Sequence, residues 1–92
     1  MTLKENLSTN LKYYRKKYNL SQEKFAEILG TNLSYLCEIE NCKIDVKLST
    51  IDKYADRINK FDKNAKIRSE ELVTYYKDHV TNFKRIDERK KD

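Results

Sequence analysis

The chain contains one glycine, Gly30, and no proline. Sheet-rich domains reverse direction at tight turns that draw heavily on those two residues. A chain almost without them is left with helices joined by short polar connections. The residues it does use agree, since Lys, Glu, Leu, Ala and Arg are frequent and all favour helix. At 92 residues there is room for one domain with one core. A core of that size leaves a modest stability margin, to which a partner subunit would add.

Apolar spacing locates the helices. Leu7, Leu11, Tyr14 and Tyr18 fall on one face of a helix over residues 7–18, with Lys12, Lys16 and Lys17 on the other. Asn19 and Leu20 close it. Ser21 is a good N-cap for SQEKFAEILG, where Glu23 sits favourably in the first turn and Phe25, Ile28 and Leu29 form a buried stripe. Gly30 supplies the positive φ that ends this helix. A short third helix follows, capped by Thr31 or Asn32, with Leu36 and Ile39 inward, and ends near Asn41-Cys42. Residues 43–47 read as a loop. Leu48, Ile51, Tyr54, Ala55 and Ile58 mark a fourth helix, and Phe61 is expected to close over the core. Residues 61–68 are a polar connection. A last helix is expected from Ser69 to about residue 88, before the charged tail.

Lys and Arg number 20 against 15 Asp and Glu, a formal net charge of +5. That mild excess fits either a phosphate-rich partner or a solvated surface. The first twenty residues hold no continuous apolar run, so no signal peptide is read there, and no segment is long and apolar enough to span a membrane. With two cysteines and no export signal, a cytoplasmic setting is expected. Cys37 and Cys42 stand five apart, which turns their side chains about 140° away from each other on a helix. Zinc pairs are usually closer and need two further ligands, so no metal site and no cofactor is read here. His79 is the only histidine, and no acid, base and nucleophile converge, which argues against an enzyme.

A helix capped at Ser21, a turn at Gly30 and a second short helix make a helix-turn-helix unit, whose second helix is sized for the major groove of B-DNA. Residues 7–59 resemble the Cro and phage-repressor type of helix-turn-helix domain, also described as xenobiotic-response-element-like. The resemblance is carried by Leu20-Ser21-Gln22, Phe25-Ala26, Leu29-Gly30, Leu36, Ile39-Glu40-Asn41 and Lys43, then Leu48, Ile51 and Ala55. Each short piece is weak alone, and their order and spacing together are specific. Ala26 stands where the two helices of the motif cross, where a larger side chain would force them apart. Two positions depart from the family pattern: Cys42 stands where glycine is common and Val46 where proline is. Either Cys42 accepts a left-handed backbone, or the loop takes another path.

The resemblance implies a compact all-α bundle of four or five helices containing the helix-turn-helix, with a longer C-terminal helix. Residues 1–60 would form the DNA-binding domain, and residues 61–92 a connection and a helix that completes it or makes a dimer. The base-reading residues implied on the outer face of the third helix are Asn32, Leu33, Ser34, Cys37 and Glu38. Leu33 suits a thymine methyl and Glu38 could accept from cytosine N4. Gln22 at a helix N-terminus, Tyr35, Asn41 and Lys43 are implied phosphate contacts, which set position rather than sequence. An ion pair between Arg15 and Glu40 would hold the reading helix against the first helix.

Val73, Tyr76, Val80 and Phe83 fall at spacings 3, 4 and 3 along the expected last helix, a short heptad seam suited to a homodimer contact or to packing within the chain. The function implied is a sequence-specific regulator, a repressor, binding an inverted repeat in double-stranded DNA as a homodimer. The alternative is an antitoxin-like module that neutralises a partner protein, with residues 69–88 wrapping it.

Overall fold

The computed structural model describes residues 2–80. Four α-helices run in order: α1 (Leu3–Lys17), α2 (Gln22–Leu29), α3 (Leu33–Glu40) and α4 (Leu48–Phe61). A short 3-10 helix follows at Ser69–Val73, and residues 77–80 are helical where the described chain ends. No strand occurs among the described residues. The all-α fold expected from the missing turn residues is the fold observed.

The caps explain where the helices begin. Thr2 and Glu5 form a reciprocal capping box, so α1 starts one turn before the expected residue 7. Ser21 Oγ accepts the Lys24 amide at 3.1 Å, and Asn32 Oδ1 accepts the Tyr35 amide at 2.8 Å. Asn32, and not Thr31, is therefore the cap of α3.

The first three helices end alike. Asn19, Gly30 and Cys42 all have left-handed backbones, with φ of +56°, +77° and +58°. In each case the next amide reaches back to a carbonyl in the last helical turn. Leu20 donates to Arg15, Thr31 to Ala26 and Lys43 to Glu38, each at 2.9 Å. This is the Schellman arrangement. Cys42 thus takes the strained path left open above, and the reason is the bond its conformation gives to Lys43.

The core lies where all the elements meet. Leu7 and Leu11 of α1, Phe25, Ala26 and Leu29 of α2, Leu36 and Ile39 of α3, and Ile51, Tyr54, Ala55 and Ile58 of α4 are buried together with Ile67 and Leu72. Ile28 is only half-buried, and Leu48, one of the residues that mark the fourth helix, is 80% exposed. Leu48 is the first residue of α4, so no earlier turn of that helix leans over it. Phe61 is largely exposed and meets the ring of Tyr18 edge-on at 5.2 Å.

The helix expected from Ser69 does not form as one piece. The 3-10 segment gives way to extended backbone at Thr74, and helix resumes at residue 77. Two asparagines of α1 account for the break. Asn10 Nδ2 lies 3.1, 2.9 and 2.9 Å from the carbonyls of Glu71, Leu72 and Thr74, and Asn6 Nδ2 donates to Val73 O at 3.0 Å. Carbonyls that an α-helix would bond internally are bound from α1 instead, and Leu72 is drawn fully into the core. The spacing of Val73 and Tyr76 is therefore not helical spacing. Phe83, with the rest of residues 81–92, lies outside the described residues.

Candidate nucleic-acid interface

The helix α3 has two faces. Leu36, Ile39 and Glu40 are buried, whereas Asn32, Leu33, Ser34 and Glu38 are exposed. Glu40 is the anomaly on the inner face, a carboxylate only 3% exposed. Burying it unpaired would cost several kcal/mol. Arg15 of α1 meets it with two parallel bonds, Nε to Oε2 at 2.9 Å and Nη2 to Oε1 at 3.0 Å. Gln22 Nε2 donates to Oε1 as well, at 3.0 Å. The backbone carbonyl of Glu40 accepts from Ser8 Oγ at 2.7 Å. One residue at the end of α3 is thus held from α1 twice and from the start of α2 once. Paired donors on a carboxylate fix direction as well as distance, so α3 has a single orientation on the bundle.

At its other end, α3 is approached through Gly30. Lys53 Nζ of α4 donates to the Gly30 carbonyl at 2.9 Å, placing a cation at the negative end of the α2 dipole. A Cβ at Gly30 would lie 3.0 Å from Lys53 Cε. Backbone angle and close approach both favour glycine here.

The sequence-derived contact residues are not all equivalent in the fold. The side chain of Asn32 is engaged as the α3 cap. Leu33 and Ser34 stand free on the first turn, and Leu33 is 43% exposed. Cys37 is half-buried and its thiol is directed inward, 3.5 Å from Gln22 Oε1. Tyr35 is half-buried and packs against the core. Asn41 and Lys43 are exposed at the C-terminal end of α3. Gln22 touches both Glu40 and Cys37, so its amide is a strut between α2 and α3. The two thiols do not meet: Cys42 Sγ faces the Lys4 carbonyl at 3.9 Å.

Sequence reasoning missed Ser8, Asn6 and Asn10, all buried and polar on α1. Their signal was visible as polar residues at positions 6 and 10, four apart, lying beside the apolar pair Leu7 and Leu11. His79 joins the same set. Its Nδ1 lies 2.7 Å from Asn10 Oδ1, and its ring stacks on Tyr13 with centroids 3.6 Å apart. Asn10 presents its amide nitrogen to three carbonyls, so its oxygen faces the histidine and Nδ1 carries the proton. Burial lowers the His79 pKa, and the nearby Lys17 lowers it further against the opposing effect of Asp78. Burial also pushes the Tyr14 hydroxyl up to about 12.

Comparison with known proteins bears on this geometry. A family model described as "Helix-turn-helix" matches residues 11–60, which take in the second half of α1, α2, the turn, α3 and nearly all of α4. A curated relative, "Control protein C.SmaI" of Serratia marcescens, is 41% identical over 59 residues, covering 64% of this chain and 70% of that protein. Among solved structures, the fold is similar to that of a "hypothetical transcription factor NHTF from Neisseria", with a TM-score of 0.68 at 22% identity over 86% of this chain and 83% of the other. No helix among the described residues is long and apolar enough to cross a membrane.

Proposed function

Since the chain belongs to the helix-turn-helix family of the Cro and phage-repressor type, and so is a DNA-binding transcription regulator, we propose that it represses transcription as a homodimer on an inverted-repeat operator. The observation that carries the reading is the division of α3 into a face tied to the bundle and a face left to solvent. The Arg15–Glu40–Gln22 cluster and the Ser8 bond hold the helix at a set angle. Leu33, Ser34 and Glu38 are thereby presented as a unit rather than as independent mobile side chains. In the major groove, Leu33 offers an apolar contact to a thymine methyl and Glu38 an acceptor for cytosine N4.

Around that face, Gln22 at the N-terminus of α2 and the exposed Asn41 and Lys43 flank the helix as backbone contacts. Asn32 caps α3 and stands at the edge of the groove, while Cys37 and Tyr35 support the reading face from its inner side. One eight-residue helix offers few base contacts, and a useful margin over non-specific DNA calls for two copies on half-sites about one helical turn apart. The cytoplasm is where such a regulator meets its operator.

The test is selection from a pool of random duplex DNA. The expected outcome is enrichment of one motif with two-fold symmetry, bound far more tightly than scrambled sequence at the same salt. Binding that follows salt alone, with no motif enriched, would remove the proposal.

A further inference from the structure

Two of the most exposed aliphatic side chains of the described residues, Leu48 at 80% and Leu3 at 67%, line one groove. The groove has a volume of about 240 Å³, and Leu7, Val46, Ile51 and Val73 line it further. Single exposed leucines are ordinary on a soluble protein. Two of them lining one mainly apolar groove are not, because water gains little from such a surface and a partner side chain could fill the space. The groove is built by the first turns of α1 and α4, the end of the loop after α3, and the last residue of the 3-10 helix.

We propose that this groove is the contact between two copies of the chain, an inference that rests on the homodimer reading above. Three features select a second copy. First, the rim carries both signs of charge. Lys4 and Asp45 line the groove 3.8 Å apart, and the Asp45 carboxylate is almost wholly exposed. A two-fold contact sets each patch against its own image, so a patch holding one cation and one anion is self-complementary. A nucleic acid would be repelled by Asp45 and gains nothing from the leucines.

Second, the groove lies beside the C-terminal end of the reading helix. Only the loop over residues 41–47 separates the last turn of α3 from Asp45 and Val46. A copy seated there leaves the first turn of α3 and its exposed Leu33 and Ser34 uncovered, about 10 Å away along the helix axis. Both copies of α3 are then left free to meet the two half-sites of an inverted repeat.

Third, the alternative seam does not stand as one face: one member opens into this groove and another is engaged within the chain. Val73 forms a wall of this groove, and Tyr76 packs on His79 with ring centroids 4.7 Å apart. The dimer contact of the described residues is therefore centred on Leu3 and Leu48, with Val73 at its margin.

Sedimentation equilibrium of the full chain, with Leu48→Glu and Leu3→Glu beside the wild type, tests this. The wild type is expected to associate to twice its 11.1 kDa mass at micromolar concentration. Each substitution is expected to weaken that association about a hundredfold, since each occurs twice in the dimer and puts charge where apolar surface was buried. Thermal melts should match the wild type at low concentration, because both side chains are largely free in the monomer. Both variants should still bind a single half-site and should lose the added affinity of the paired site. A monomeric wild type, or variants that retain the wild-type dimer, would overturn the inference while leaving the DNA reading intact. A wild type that selects no DNA sequence would remove the DNA reading, whatever its mass.

Discussion

Arg15 and Glu40, 25 residues apart in sequence, meet through two parallel hydrogen bonds of 2.9 and 3.0 Å. The carboxylate is buried and the guanidinium nearly so. The pair ties the end of α3 to the last turn of α1, where two independent surface charges would have tied nothing. Breaking it leaves a carboxylate in the core with only Gln22 for company. Arg15→Ala is expected to cost about 3 kcal/mol in a urea titration, a large share of the stability of so small a domain. A loss below about 1 kcal/mol would place the pair among solvent-screened ones and remove its part in orienting α3.

Cys42 bears a side chain in a left-handed conformation that glycine adopts freely. Cys42→Gly is expected to raise stability by about 0.5–1 kcal/mol, the relief of strain less the backbone freedom glycine regains in the unfolded chain. At Gly30 the opposite change, Gly30→Ala, should lose about 1 kcal/mol, with Lys53 shifting to admit the new Cβ. Differential scanning calorimetry on the two variants should show opposite signs. Equal signs would mean that backbone strain does not govern these caps.

Asn10 holds the segment after α4 onto α1 from both ends of its amide, the nitrogen on three carbonyls and the oxygen on His79 Nδ1. Asn10→Leu keeps the volume roughly and removes the donor for the carbonyls of Glu71, Leu72 and Thr74. The expected loss is about 2–3 kcal/mol. Hydrogen exchange should quicken at residues 67–80 before it changes in α2 or α3. Uniform quickening across the chain would show that this segment does not open separately.

His79 makes the docking of that segment depend on pH. Its pKa in the folded chain is lowered from the ordinary value near 6.5, chiefly by burial. The folded state therefore favours the neutral ring, and between the lowered pKa and 6.5 the unfolded state binds more protons. The contribution is fully present above about pH 6.5 and is lost as pH falls through that value toward the folded pKa. Stability should decline on acidification from pH 7.5 to 5.5, and His79→Gln should flatten that part of the curve. An unchanged curve in the variant would assign the decline to other groups.

Base reading and backbone positioning separate on mutation. Glu38→Ala or Leu33→Gln should change which sequence is selected, with little loss of stability, because both side chains are exposed. Gln22→Ala should weaken binding to every sequence alike, and more than one lost phosphate contact explains, because the same amide props Glu40. Selection experiments on the three variants distinguish these outcomes. An altered motif from Gln22→Ala would make it a reader and not a strut.

Much of the fold was legible because its signals are local. Ser21 and Asn32 bond to amides three residues ahead, and Gly30 ends its helix by its own backbone preference. The 3-4 spacing of Leu7, Leu11, Ile51, Tyr54 and Ile58 marks faces that any compact arrangement would bury. The candidate site was legible only as positions. The exposure of Leu33 and Glu38 follows from helical phase, but the inward turn of the Cys37 thiol and the engagement of Gln22 depend on residues 15 and 18 positions away.

The sequence by itself determined an all-α chain, the ends of its first three helices and the identity of the motif, because caps, propensity and periodicity act over three or four residues. The tertiary structure alone decided that residues 69–76 do not continue as an α-helix. Their intrinsic spacing is helical, but Asn6 and Asn10 lie more than sixty positions away and take their carbonyls. Between the two paths the sequence left open at Cys42, the structure shows the left-handed one, fixed by the local bond from Lys43 to Glu38. Over residues 69–76, bonds and packing formed across more than sixty positions outweigh a local helix preference worth only tenths of a kcal/mol per residue.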